Sequence, residues 1–155
     1  MEGDMHKLPF VREFDVVINL FTSFGFFEDE RESRRVVEGI HAALAEGGRV
    51  LIDVANRDAI LADFQPRMWR EAEGGYVLSQ TEFDPLRSRL QGTQVHVVAG
   101  GRVRESPLSL RLYAVHELIA LLTGAGFELE AVYGGFDQSA FVQGSPRIVV
   151  VGRRA

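Results

Sequence analysis

Few residues of this chain have both the type and the spacing to do chemistry. Asp53 follows the run Arg49-Val50-Leu51-Ile52, and Asn19 closes Phe14-Asp15-Val16-Val17-Ile18. Both runs read as strands. A carboxylate and a carboxamide at the carboxyl ends of neighbouring strands stand where open α/β sheets bind ligands. Asp53, Asn56 and the segment Asn19–Gly25 are therefore candidate ligand-facing residues. The competing reading is local: Asp53 caps a turn, and Asn19 satisfies loop backbone. The four histidines, His6, His41, His96 and His116, include no pair at the i, i+4 spacing of a helical zinc site, so no metal site is expected. His41 within a helix and His116 at the start of another read as solvated, and His96, between Val95 and Val97, as pointing away from the core. There is no Cys, which excludes thiolate chemistry and disulfides, and no Gly-x-Ser-x-Gly elbow to carry a hydrolase nucleophile. A phosphate-cradling loop is also missing. Glycine pairs fall at 47–48, 74–75, 100–101 and 134–135, after or between elements, and Gly124-x-Gly126 ends a helix instead of starting one.

The elements that must position these residues follow from the pattern. Phe14–Leu20 is continuously apolar and β-branched at its centre, which predicts a strand covered on both faces, as in a parallel sheet. Phe21–Phe27 is rich in Phe with one Gly, and Glu28-Asp29-Glu30 suits the positive end of a helix. Val36, Val37, Ile40 and Leu44 form one helical stripe, and Gly47-Gly48 is expected to end that helix. Arg49–Val54 is a second buried strand, giving a strand–helix–strand unit with parallel strands. A short helix over Ala59–Phe64 is stopped by Pro66. Three β-leaning segments follow, Tyr76–Phe83, Arg89–Val98 and Arg102–Leu112, with turns at Asp84-Pro85 and Gly100-Gly101. They predict an antiparallel meander with one wet face. A helix over Val115–Ala125, a strand Phe127–Tyr133, a loop 134–146 and a strand Arg147–Val151 complete the chain.

The 155 residues are 46% apolar and 25% charged, which is the composition of one globular domain. That domain is expected to span 1–155, with 66–113 as an inserted β-meander. Lys and Arg number 17 against 22 Asp and Glu, a net charge of −5, which argues against a nucleic-acid partner. No apolar run approaches the ~18–20 residues needed to cross a bilayer, and Met1-Glu2-Gly3-Asp4 lacks a signal-peptide pattern, so the expectation is a cytoplasmic protein with no membrane partner.

Several phrases carry a resemblance. Gly3-Asp4-Met5-His6-Lys7-Leu8-Pro9-Phe10, Phe14-Asp15-Val16-Val17 and Ser23-Phe24-Gly25-Phe26-Phe27 resemble the middle of a class I S-adenosylmethionine-dependent methyltransferase. Ala43-Leu44-Ala45-Glu46-Gly47-Gly48-Arg49-Val50-Leu51-Ile52-Asp53 looks like the family's helix–Gly-Gly–strand passage. Leu110-Arg111-Leu112-Tyr113, Glu117-Leu118 and Gly126-Phe127 look like its C-terminal part. The order and spacing of these phrases cover nearly the whole chain. The resemblance implies an α/β fold, a partial Rossmann-like sheet with an inserted antiparallel meander. Family sheets run 3-2-1-4-5-7-6, and the 4-5-7-6 portion is expected here, because the chain begins roughly where the third strand would end.

The same resemblance implies the roles. S-adenosylmethionine is the cofactor, with Asp4 contacting the adenine, Met5 beside it, and Asn19, Leu20 and Phe21 bordering the methionine moiety. Ser23, Arg111 and Tyr113 are placed near a small-molecule acceptor; for Arg111 and Tyr113 the alternative is a strand-end salt bridge and a packed ring. From the residues themselves, no catalytic base stands out; His6, His116 and Tyr113 are the candidates, although a sulfonium donor does not always need one. The family's glycine-rich loop and ribose-gripping acid have no counterpart in the sequence. Cofactor binding is therefore expected to be largely lost, with weak or no activity for the isolated chain. The strand at 14–20 would stand at a sheet edge, covered by a partner, most simply a second copy in a two-fold dimer. The alternative is a non-catalytic methyltransferase-like module that dimerises or binds.

Overall fold

The computed structural model describes residues 3–72, 74–98, 100–101 and 103–155. Two four-stranded sheets form. The first has the order β1 (Phe14–Asn19), β2 (Leu44–Ala55), β8 (Arg147–Arg154), β7 (Phe127–Tyr133), and the second is built from β3 (Arg67–Ala72), β4 (Gly75–Asp84), β5 (Arg89–Val98) and β6 (Val103–Arg111) in sequence order. β1 and β2 are parallel, while β8 runs antiparallel to both β2 and β7. This is the expected 4-5-7-6 order, a mixed α/β sheet with an antiparallel meander inserted between its second and third strands in sequence.

The helix α1 (Glu30–Ala43) joins β1 to β2. A capping box starts it: Arg31 N–H donates to Asp29 at 2.8 Å, and Asp29 N–H donates to Glu32 at 3.1 Å. Its stripe is buried as expected, with Val36, Val37 and Leu44 fully covered against Val50 and Ile52. Gly47-Gly48 does not end the helix. Leu44 is already extended, and the two glycines lie in an irregularity of β2, where Phe14 pairs with Leu44 but Val16 pairs with Arg49. Left-handed Gly47 (φ 73°) accommodates the extra residues there.

The expectation for β1 is corrected. Its register places Val17 beside Val50, on the face that α1 covers, whereas Ile18, Leu51 and Val151 share a row on the opposite face. Val16 and Ile18 are 58% and 61% exposed. An unbroken apolar run marks a strand suited to two covers, but among the described residues only one cover is present.

His41 is also corrected. Its ring packs edge-on against Phe127 at 5.0 Å, and burial, assisted by nearby Arg154, lowers its pKa. Helix α2 (Arg57–Ala62) starts two residues before the expected one because Asn56 caps it, accepting from Asp58 N–H. Asn56 is fully buried and donates to the carbonyls of Gln143 and Ser145, so its role is the local one. Helix α3 (Val115–Gly124) packs on β7 and β8 through Leu118 and Leu122.

In the meander, β4, β5 and β6 match the expected segments, except that Arg102 lies outside the described residues. β3 was not expected. Its residues are mostly exposed and show no apolar alternation, so only pairing with β4 defines it. The face expected to be wet is partly apolar: Trp69, Tyr76 and Leu78 are exposed there, and a groove of about 820 Å³ crosses it past Leu78 and Val95.

Candidate functional site

The segment after β1 is built on an unusual turn. Phe21 and Thr22 both adopt left-handed backbone, with φ of 57° and 64°. That conformation suits glycine and is a marked departure for β-branched Thr, at about 1–3 kcal/mol per residue. It persists because the surroundings determine it. Phe21 N–H donates to Asp53 Oδ2 at 2.7 Å, Thr22 N–H donates to the Asp53 carbonyl at 3.1 Å, and Ala55 N–H donates to Thr22 Oγ1 at 3.0 Å. Arg147 donates through Nη2 to Asp53 Oδ2 at 2.6 Å and through Nε to Oδ1. Asp53 is fully buried. Its oxygens accept from Phe21 N–H and Arg147, so of the two sequence readings the turn-holding one describes it.

This turn directs the candidate residues. Ser23 is exposed and donates its hydroxyl to the Leu20 carbonyl at 2.6 Å. The Phe21 ring is 74% exposed and meets Phe136 edge-on at 6.1 Å. Asn19 shares the α1-covered face, and its Oδ1 is buried without a hydrogen-bond partner. A buried acceptor left unpaired costs about 1–3 kcal/mol.

A second group lies on the short helix Met5–Lys7. The Asp4 carboxylate accepts from His6 N–H at 2.9 Å and contacts His6 Nδ1 at 2.7 Å. The backbone bond first, and then the ring, hold the Asp4 carboxyl below the usual range. Met5 packs against the core. The His6 ring meets Phe27 at 4.6 Å, and its Nε2 is buried with no partner.

Arg111 and Tyr113 form a third group. Arg111 pairs with Glu30 at 2.6 Å and Glu117 at 2.8 Å, and its guanidinium lies 4.7 Å over the Tyr113 ring. Burial pushes Glu117 up, but Arg111 and the Ala114 amide outweigh it and hold the carboxyl below its ordinary value. Tyr113 is 2% exposed and donates its hydroxyl to Ser33 Oγ at 3.0 Å. Its surroundings are those of the salt bridge and packed ring that the sequence left open as the alternative. Burial is the main cause that pushes its pKa to about 12, so it is no base near neutral pH. A phenol whose pKa is raised by folding stabilises the fold fully below its ordinary value of 10.0 and loses that contribution as pH rises toward about 12. Ultraviolet titration is expected to show one of the three tyrosines ionising last, near pH 12, and Tyr113→Phe to remove that step. His116 is exposed at the start of α3.

An aromatic chain links the groups, His6–Phe27 at 4.6 Å, Phe27–Phe24 at 5.8 Å and Phe24–Tyr113 at 5.6 Å. The structure thus links the Asp4–His6 pair and the Arg111–Tyr113 pair through Phe27 and Phe24, which follow the loop after β1. Sequence reasoning missed Arg147, Phe136, Glu30 and Glu117. Arg147 could have been found only by pairing its strand with β2, which brings it opposite Ala55, two residues past Asp53.

No family model and no curated protein matches this sequence. Solved structures do. The CcbJ methyltransferase from Streptomyces caelestis is 22% identical with a TM-score of 0.84, the match covering 99% of this chain and 62% of that one. An S-adenosylmethionine-dependent methyltransferase from Clostridium acetobutylicum is 13% identical with a TM-score of 0.86, over 99% of this chain and 63% of that one. The sugar N-methyltransferase KedS8 from Streptoalloteichus is 26% identical with a TM-score of 0.66, over 98% and 60%. The chain thus spans less than two thirds of these relatives' length. With its strand order and inserted meander, it has the fold of the class I S-adenosylmethionine-dependent methyltransferases, over their C-terminal part.

Proposed function

We propose that this chain forms the methyl-facing part of a methyltransferase site, serving transfer of a methyl group from S-adenosylmethionine to a small-molecule acceptor. The observation that carries the proposal is the strained turn Phe21–Thr22 at the carboxyl end of β1, with the unpaired buried oxygen of Asn19 beside it. A buried acceptor there fits an ammonium donor such as the amino-acid end of the cofactor. Asn19, Leu20 and Phe21 would hold that end, with Asp4 and Met5 toward the adenine and Ser23 on the acceptor side; Arg111 and Tyr113, paired and packed as described, would back that side through Phe24. When bound, the cofactor supplies a sulfonium methyl; the chain's own work is to orient donor and acceptor and to exclude water. KedS8 is a sugar N-methyltransferase, which makes an amine on a small molecule the acceptor to test first.

Among the described residues no strand, glycine-rich turn and helix follow one another, so binding by the chain alone is expected to be weak. Calorimetric titration with S-adenosylmethionine is expected to give a dissociation constant of about 0.1–1 mM, or roughly −5.5 to −4 kcal/mol. No heat at several times that concentration would leave the non-catalytic module as the better reading.

The partner proposal concerns β1. It is an edge strand, and the exposed Val16 and Ile18 lie beside its unpaired outer side. Such an edge invites pairing, and a second copy offers the matching strand. Sedimentation is expected to show a dimer that Ile18→Lys dissociates; a stable wild-type monomer at high dilution contradicts it.

A further inference from the structure

We propose that Asp53 and Arg147 are positioning residues whose ion pair latches Phe21–Thr22 in its left-handed conformation and so fixes the Asn19–Ser23 segment. The proposal rests on the function given above and deepens it. The carboxylate comes from β2 and the guanidinium from β8, yet both grip the same turn after β1. Asp53 Oδ2 takes Phe21 N–H at 2.7 Å and Arg147 Nη2 at 2.6 Å. The same Nη2 reaches Thr22 Oγ1 at 3.3 Å, and that oxygen also accepts from Ala55 N–H at 3.0 Å. The Arg147 guanidinium further lies 5.7 Å over Phe136, whose ring meets Phe21. Residues of two strands, β2 and β8, and the Phe136 ring therefore converge on the two residues of this turn.

A latch explains two features that stability alone does not. An ion pair with a fully buried carboxylate is a poor source of net stability compared with apolar packing, and its better-attested use is to select one conformation. The turn could also have been made without strain by glycine, but Phe and Thr stand there, held left-handed by named contacts. Strain concentrated at one turn, two residues beyond an unpaired buried acceptor, is the arrangement expected of a preorganised binding segment.

The test is amide hydrogen exchange by nuclear magnetic resonance on Asp53→Asn and Arg147→Lys, with S-adenosylmethionine titrated in parallel. Arg147→Lys keeps the charge and carries the test if Asp53→Asn does not fold. Exchange at Phe21 and Thr22 should quicken about tenfold or more while Val50 and Ile52 in β2 stay protected, a local opening. The cofactor-induced shifts at Asn19 should weaken in the same variants. Unchanged exchange at Phe21 and Thr22 overturns the latch, as does equal quickening at Val50 and Ile52, which marks a merely structural role. If wild type shows no cofactor shifts, the functional reading fails, and the exchange rates still decide whether the latch exists.

Discussion

Arg147→Met is expected to lower the unfolding free energy by about 3–5 kcal/mol, because it leaves the Asp53 carboxylate buried without its counter-charge. Asp53 is fully buried and the Arg147 side chain is 26% exposed, so solvent screens this pair little. The cost arises from the orphaned charge and not from the pair's own net contribution. Asp53→Asn added to Arg147→Met should therefore recover much of the loss, since no buried charge is then left without its partner. Denaturant unfolding of the single and double variants measures both numbers. A loss below about 1 kcal/mol for Arg147→Met, the range of an exposed pair, would contradict the burial on which the site geometry depends.

Phe24→Ala is expected to be of comparable size, about 3–5 kcal/mol, through loss of contacts and the cavity left behind. Phe24 is fully buried and sits between Phe27 and Tyr113, joining the loop after β1 to the end of the meander. The substitution carries a second signature. Opening the space beside Tyr113 admits water, so the late phenol should move from about 12 back toward 10.0. Phe24→Leu, which keeps most of the volume, should cost less than about 1.5 kcal/mol and leave that titration in place. A Phe24→Ala variant that unfolds like wild type would show that the loop and the meander are not joined through this ring.

Most of the fold was legible because its signals are local. The helical stripe from Val36 to Leu44, the β-branched runs and the paired turns of the meander each declare an element without reference to the rest of the chain. What escaped was decided by distant partners. β3 has no pattern of its own and exists because β4 lies beside it. Gly47-Gly48 looked like a helix stop because a glycine pair does the same backbone work in a strand bulge. The exposure of Val16 and Ile18 depends on which elements flank β1, which its residue types do not state.

For the site, Asn19–Ser23 could be found from its place after a strand. The partner that shapes it, Arg147, is 94 residues from Asp53, and nothing between them marks the pairing. Phe21 and Phe24 show the same limit at close range. Both are Phe after one strand, yet one is 74% exposed and the other fully buried, because the left-handed turn at 21–22 separates their directions.

The proposed donor site is tested most directly by mapping amide shifts while S-adenosylmethionine is added to the 155-residue chain. Shifts centred on Asn19–Ser23 with a midpoint of about 0.1–1 mM are expected. Shifts confined to the groove past Trp69, Leu78 and Val95, or no shifts at all at saturating concentration, would contradict a methyl-donor site at the carboxyl end of β1.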